Sequence, residues 1–180
     1  MRRQREKKHI VDQLVGRCMS AFIEAGTLDV SLDNLSRKVG ISKRMIVHYF
    51  GGRDGLERKA MRRLEDTLRA QFSPASFPHT ASVRKMILTL WERATRSEAR
   101  GILLLVMDLA RRAWSGSAAA QAFYQEQLRL WARLLQDLGV DKGFIQTIIV
   151  TFQGAVLMLL TTGNPDPGKQ ALLRLLSGKR

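Results

Sequence analysis

Apolar side chains recur every three or four positions along most of the chain, a spacing that places them on one face of an α-helix. In the first segment, this face carries Ile10, Leu14, Cys18, Phe22 and Ala25, and Gly26 ends the helix. The same spacing predicts helices over about 54–69, 81–95, 98–114, 117–138 and 141–162, with a short helix near 169–177. No strand pattern is visible after residue 78. The sequence therefore predicts an all-α protein.

Residues 31–50 predict two short helices around a tight turn. Their apolar positions are Leu32, Leu35 and Val39 before the turn and Ile46, Tyr49 and Phe50 after it. Gly40 suits the end of the first helix, because glycine adopts the left-handed conformation without steric cost. Ser42 suits the start of the second, since its hydroxyl can accept a hydrogen bond from a free backbone N–H. This is the layout of a helix-turn-helix, whose second helix enters the DNA major groove.

The segment 73–78 predicts a boundary, because its two prolines and small polar residues end one helix and start a new unit. It divides the chain into residues 1–70 and residues 71–180. The first part comprises a three-helix, helix-turn-helix DNA-binding domain and a linking fourth helix. The second part is a helical domain without a recognisable motif.

The net charge of +14 favours anionic partners, nucleic acid first and a membrane surface second. Residues 1–69 hold 16 of the 30 Lys and Arg residues, so positive charge is densest where DNA binding is predicted, including a basic N-terminus with Arg2, Arg3, Arg5, Lys7 and Lys8. The single cysteine, Cys18, cannot form an intrachain disulfide, and no secretory signal peptide is visible. We therefore expect a cytoplasmic protein.

Two alternatives to a DNA-binding protein follow from the sequence. Residues 143–164 carry no charged side chain and are about long enough to span a bilayer, so the chain could be a basic membrane-associated protein. Polar residues interrupt this run, which favours a helix buried between its own core and a partner subunit. The second alternative is an enzyme of unknown type. No catalytic constellation, phosphate-binding loop or metal-ligand spacing is recognisable, so we expect no enzyme activity, cofactor or metal.

Residues 6–64 resemble the N-terminal DNA-binding region of the TetR family of transcriptional repressors. The matching positions are Ala21-Phe22, Gly26, Ser31, Leu35, Gly40-Ile41-Ser42-Lys43, Tyr49-Phe50 and Arg53-Asp54-Gly55-Leu56. The chain departs from the family at Arg44, Met45 and Val47, and in the sequence Gly51-Gly52-Arg53. The resemblance implies a homodimer that binds a palindromic double-stranded operator. It also implies release by a small-molecule effector, and dimer contacts on the last two long helices.

Eight residues are predicted to contact DNA: Ser31, Ser42, Lys43, Arg44, Val47, His48, Tyr49 and Arg53. Lys43 and Arg44 suit phosphate oxygens or the edge of guanine. Ser31 is first a helix cap and second a phosphate donor, and His48 either faces the groove or packs beside the scaffold. The resemblance places Tyr49 at the boundary with DNA and gives Arg53 the role of a phosphate-binding lysine.

Seven residues after residue 78 are candidates for a ligand pocket: Trp91, Met107, Asp108, Trp114, Phe123, Trp131 and Phe152. Aromatic and methionine side chains at helical spacing also suit an ordinary core. Asp108 either pairs with Arg111 or Arg112 or meets a polar group of a ligand. For the dimer, we expect the helices over 117–138 and 141–162 to supply the interface. A charge at Phe152 or Val156 is then expected to give monomers or insoluble protein.

Overall fold

The computed structural model describes residues 2–71, 77 and 82–178. Within this part of the chain there are nine helices and no strand, which confirms the prediction of an all-α fold. The helices are α1 (Arg2–Ala25), α2 (Leu32–Val39), α3 (Lys43–Phe50), α4 (Arg53–Gln71), α5 (Val83–Ala94), α6 (Ala99–Trp114), α7 (Ala118–Asp137), α8 (Lys142–Thr162) and α9 (Asp166–Ser177). The predicted boundary at 73–78 lies outside the described residues except for Phe77, as do the side chains of Arg2, Arg3, Arg5, Lys7 and Lys8.

The middle of α1 forms the centre of the N-terminal core. Leu14, Cys18 and Phe22 are buried as the periodicity predicts. The prediction is wrong at the two ends of this helical face, because Ile10 and Ala25 are exposed. At the C-terminal end of α1, the contact with α6 is made by the α1 backbone and not by the Ala25 side chain. A Cβ atom on Gly101 of α6 would lie only 2.3 Å from the Ile23 carbonyl oxygen.

The buried apolar residues form two clusters. The first contains the buried faces of α1 to α4, which we call the N-terminal unit, together with Leu105 and Leu109 of α6 and Ala120 and Phe123 of α7. The second joins α5, the end of α7, α8 and α9 around Trp91 and Leu135. The helices α6 and α7 therefore belong to both clusters, and they connect the N-terminal unit to the rest of the chain.

The helix α8 is long and apolar enough to cross a membrane by length and composition. Its buried side chains are Ile145, Ile148, Ile149, Phe152, Ala155 and Val156, and they pack in the second cluster with residues of α5, α7 and α9. This packing favours the alternative of a core helix over a helix in the bilayer. It also corrects the expected interface, because Phe152 and Val156 face the protein's own core.

The opposite face of α8 is apolar and exposed. Val150 has 68% of its surface exposed, Leu157 53% and Met158 46%. Gly154 lies between them, and a Cβ atom built on it would meet nothing within 4 Å. Leu128 of α7 is also exposed. Periodicity did not separate the two faces of α8, because apolar residues cover most of its circumference.

Candidate nucleic-acid interface

Two serine caps and a glycine set the ends of α2 and α3: Ser31 caps the start of α2, Gly40 ends it, and Ser42 caps the start of α3. The Ser31 hydroxyl accepts a hydrogen bond from the backbone N–H of Asn34 at 3.2 Å, and the Ser42 hydroxyl accepts one from Met45 at 3.3 Å. Gly40 ends α2 with a φ of 72°, which is the left-handed region that favours glycine. The predicted caps are therefore confirmed. Both serines are exposed, and each hydroxyl oxygen already serves its own helix.

The inner face of α3 is held firmly against its neighbours. Ile46 is fully buried and Phe50 is nearly so. The start of α4 approaches α3 so closely that a Cβ atom on Gly55 would lie 1.7 Å from the Phe50 carbonyl oxygen. Only glycine fits at this position, which explains why a glycine follows the aromatic pair at this spacing. The result is a fixed orientation of α3 relative to α4.

The outer face of α3 carries the predicted contact residues. Lys43, Arg44, Val47 and His48 are all exposed. The ammonium group of Lys43 lies 2.5 Å from a carboxylate oxygen of Asp33, and both side chains are mainly in solvent. Exposed ion pairs of this kind contribute little, so the ammonium group can exchange Asp33 for a phosphate. The structure therefore brings these four residues together on one surface, at the start and outer side of the second helix.

Tyr49 is half-buried and belongs to the edge of the first core cluster. Its ring meets that of His48 edge to face, with 5.1 Å between the ring centroids. Tyr49 therefore lies between the core and the exposed face, as expected for a residue at a boundary. His48 lies on the exposed face of α3. Of its two predicted positions, this is the outward-facing one and not the one packed beside the scaffold.

Arg53 is bound within the protein. Its guanidinium group donates to the carbonyl oxygens of Val30 at 2.8 Å and Leu28 at 2.5 Å. It also donates to the Glu57 carboxylate at 2.7 Å. These contacts give Arg53 a structural role that the sequence did not predict, and its phosphate contact stays a prediction. Arg53 holds the loop between α1 and α2 against the start of α4.

Asp108 of α6 holds the same loop from the other side. Its carboxylate accepts hydrogen bonds from the Thr27 hydroxyl at 2.9 Å and from the Leu28 backbone N–H at 3.1 Å. It also pairs with Arg111 at 2.8 Å and with Arg112 at 3.0 Å. Of the two roles that the sequence allowed, pairing with arginine is the one observed. The carboxylate therefore has its partners within the protein.

Arg112 connects this cluster to α4. Its guanidinium group lies 3.3 Å from the Glu57 carboxylate and 3.5 Å from Asp29. Burial raises the pKa of Asp108, but hydrogen bonds from Arg111, Leu28, Arg112 and Thr27 outweigh it and leave the pKa below its ordinary value. The carboxylate is therefore charged at neutral pH. A continuous set of charged groups joins α6 to the loop after α1 and to the start of α4.

A cavity of about 110 Å³ lies between α4, α6, α7 and α8. Four of the predicted ligand residues line it: Met107, Phe123, Trp131 and Phe152. The other three do not. Trp91 is buried in the second cluster, Asp108 binds the loop after α1, and Trp114 is 93% exposed at the end of α6.

Sequence reasoning missed the polar residues of this cavity. Tyr124, Gln127 and Gln153 also line it. The signal for Gln127 was available, because it stands four residues after Phe123 and four before Trp131 on the same helix, and residues at this spacing share a face. Attention to aromatic and methionine residues alone left it out.

The geometry defines a class of protein: an all-helical protein whose helix-turn-helix presents an exposed basic recognition surface and shares its core with a second helical unit. No protein-family model matches the chain. The HTH-type transcriptional regulator BetI of Pectobacterium carotovorum is 30% identical over 125 residues, which cover 69% of this chain and 55% of that protein. BetI 2 of Chromohalobacter salexigens is 38% identical over 52 residues, which cover 29% of this chain and 25% of that protein. The chain thus matches about half of the first relative and a quarter of the second.

Solved structures match almost the whole chain. A transcriptional regulator from Rhodococcus sp. Rha1 superposes with a TM-score of 0.76 at 16% identity, and the match covers 93% of this chain and 94% of that one. A TetR-family transcriptional regulator from Streptomyces coelicolor gives 0.73 at 19% identity, covering 94% and 80%. The chain therefore has the fold of TetR-family transcriptional regulators, and the resemblance seen in the sequence is confirmed. The similar proteins are regulators rather than enzymes.

Proposed function

We propose that this protein is a transcriptional regulator that binds double-stranded DNA through α3. The observation that carries the proposal is the exposed outer face of α3, where Lys43, Arg44, Val47 and His48 project from a helix that Ile46 and Phe50 hold rigidly. Two cations at the start of a recognition helix suit phosphate oxygens and the acceptor atoms of guanine. The fold shared with regulators and the net charge of +14 support the same function.

We further propose that the protein acts as a cytoplasmic homodimer on a palindromic operator. The apolar face of Val150, Gly154, Leu157 and Met158 on α8, with Leu128 of α7, supports this. Such a face is apolar and exposed, and Gly154 within it allows a second helix to approach closely. Two copies related by a twofold axis would place two α3 helices on successive turns of the major groove.

A small effector that binds the cavity between α6, α7 and α8 would release the DNA, so that the protein acts as a repressor. For this release the effector must bind the conformation without DNA more tightly, because equal affinity for both states shifts nothing. The charged groups of Asp108, Arg112 and Glu57 offer a physical connection between α6 and α4. A tenfold loss of DNA affinity requires about 1.4 kcal/mol of coupling.

Selection of bound DNA from a random pool tests the function directly, and a palindrome is the expected result. With the selected DNA, Arg44→Ala is expected to lower the affinity by about 1–3 kcal/mol and to relax the preference at one base pair, if it reads a base. Lys43→Ala should weaken all sequences alike and reduce the salt dependence. Lys169→Ala, an exposed lysine on α9, is the matched control. Unchanged fluorescence anisotropy titrations for both α3 variants would exclude α3 as the recognition helix.

Light scattering tests the dimer. The wild type is expected to be a dimer at micromolar concentration, and Leu157→Arg is expected to be a folded monomer, since the side chain is exposed in the single chain. Trp114→Arg replaces an even more exposed apolar residue outside this face and should leave the dimer intact. A wild-type monomer, or a dimer that survives Leu157→Arg, would contradict the proposed interface.

A further inference from the structure

We infer that the outer face of α3 recognises the methyl group of thymine through Val47, so that the preferred DNA carries a thymine close to the base pair that Arg44 contacts. This inference rests on the proposed function, and it specifies the base chemistry that the proposed recognition surface selects. Three observations carry it: the position of Val47 between two cations, its exposure without a packing role, and the stiffness of its short side chain.

Val47 lies in the middle of the proposed DNA-binding surface. Successive residues of an α-helix are rotated by about 100° around its axis, so Val47 lies about 40° from Lys43 on one side and about 60° from Arg44 on the other. Ile46 and Phe50, which are buried, fix the inner side of the helix. A duplex that contacts both cations therefore also approaches Val47.

The Val47 side chain has no packing role among the described residues. It is 50% exposed, and it neither belongs to nor packs against either buried cluster. Valine is also a weaker helix former than alanine or lysine, so local helix stability does not explain it. A single exposed apolar residue is ordinary elsewhere on a protein, but this one occupies the surface proposed for DNA. There, an apolar group gains contacts only from the DNA.

The methyl group of thymine is the only apolar group that base pairs present in the major groove. The other three bases present only hydrogen-bond donors and acceptors on this edge, and a valine side chain can pair with none of them. Valine against such an edge removes water without replacing its hydrogen bonds, whereas valine against a methyl group buries apolar surface on both partners. The chemistry of the side chain therefore selects thymine over the other bases at this position.

The stiffness of Val47 fixes where this contact is made. A β-branched side chain in a helix has one strongly preferred rotamer, so its methyl groups keep their position when DNA binds. Val47 and Arg44 are three residues apart, which places their Cβ atoms about 5–6 Å from each other. With a rise of about 3.4 Å per base pair and the length of the arginine side chain, the thymine lies within about three base pairs of the one that Arg44 contacts.

Replacement of thymine by uracil tests the inference, because uracil lacks only the methyl group. The DNA selected from the random pool is synthesised with each symmetry-related pair of thymines replaced in turn, and binding is measured by fluorescence anisotropy at fixed salt. At one position, uracil should weaken wild-type binding about fourfold in one half-site and about fifteenfold in both, since burial of one such group contributes about 0.8 kcal/mol. At the same position, 5-methylcytosine should bind more tightly than cytosine.

Variants of α3 assign the effect to Val47. In Val47→Ala, thymine and uracil at this position should differ by less than about twofold in each half-site, because the shorter side chain no longer reaches the methyl group. The variant should fold as the wild type, since the position is exposed and alanine favours helices. Met45→Ala is the matched control: Met45 is the other exposed apolar residue of α3 and lies about 160° around the axis from Val47. It should keep the full preference for thymine.

The inference is overturned if no uracil substitution weakens wild-type binding, or if the selected DNA has no thymine within about three base pairs of the position that Arg44 reads. It is also overturned if the preference for thymine survives in Val47→Ala or is lost in Met45→Ala. A selected palindrome without the methyl effect would refute only the role of Val47 and leave the proposed function intact. If no DNA is selected at all, the proposed function fails, and the inference fails with it.

Discussion

Removal of the Asp108 carboxylate should destabilise the protein more than its single charge suggests, because this carboxylate connects α6 to the loop between α1 and α2. In Asp108→Ala, the Leu28 N–H and the Thr27 hydroxyl lose their acceptor, at about 1 kcal/mol each. Arg112, whose side chain is only 19% exposed, loses its closest carboxylate but still pairs with Glu57. The loss of the pair with Asp108 costs about 1 kcal/mol more. Arg111 is mainly in solvent and adds little.

The expected loss is therefore about 3 kcal/mol, which corresponds to a fall in melting temperature of roughly 6–12 °C for a protein of this size. Urea unfolding followed by circular dichroism measures it. Asp29→Ala is the control, because Asp29 is exposed and its three arginine partners lie 3.5–3.9 Å away. The control should lose less than about 0.5–1 kcal/mol. Equal losses in the two variants would refute the argument that Asp108 anchors the loop.

The same carboxylate predicts a dependence on pH. Its pKa is lower in the folded protein than in the unfolded chain, where it is about 3.9. Its stabilisation is therefore complete above that value and is lost as the pH falls through the folded-state pKa. The difference in stability between the wild type and Asp108→Ala should be constant from about pH 5 to 7 and should narrow below about pH 4. A difference that grows on acidification would reverse the assigned sign.

Two further outcomes follow from close packing. Gly55→Ala should lower the unfolding free energy by at least about 2 kcal/mol, since its Cβ atom would lie 1.7 Å from the Phe50 carbonyl oxygen. Gly154→Ala, with open space around it in the middle of α8, should raise the unfolding free energy of a monomeric variant by about 0.5–1 kcal/mol, because alanine is the better helix former. Thermal unfolding of the two variants distinguishes them. Cys18, fully buried and with a pKa raised by burial to about 11, should resist iodoacetamide at pH 8 until the protein unfolds, and rapid alkylation of the native protein would contradict this burial.

Features set by neighbouring residues could be predicted from the sequence. The caps at Ser31 and Ser42 and the turn at Gly40 depend on atoms within a few positions, so residue type and spacing are sufficient. The buried faces of α2 and α3 followed for the same reason. The exposed face of α3 then followed by exclusion, because the buried positions leave Lys43 and Arg44 on the outside.

Features set by distant partners could not be predicted. The guanidinium of Arg53 turns inward because carbonyl groups of residues 28 and 30 are brought beside it by the packing of α1 on α4. The Asp108 carboxylate accepts hydrogen bonds from Thr27 and Leu28, which lie about 80 positions away in the chain. On α8, periodicity gave no preference between the face of Phe152 and the face of Val150, because both are apolar. Only the positions of α5, α7 and α9 decide which face is covered.

Because α1–α4 share a core with the ends of α6 and α7, the chain is difficult to truncate or to join with segments of another protein. Cutting it after residue 70 would leave the apolar surface that Leu105, Leu109 and Phe123 cover open to water, so the excised piece should aggregate or remain partly unfolded. A hybrid with the remaining helices of another regulator would have to reproduce the backbone-to-backbone approach of Gly101 to Ile23. If the proposed DNA-binding function holds, substitutions on the outer face of α3 should therefore change the preferred DNA sequence more easily than exchange of whole segments.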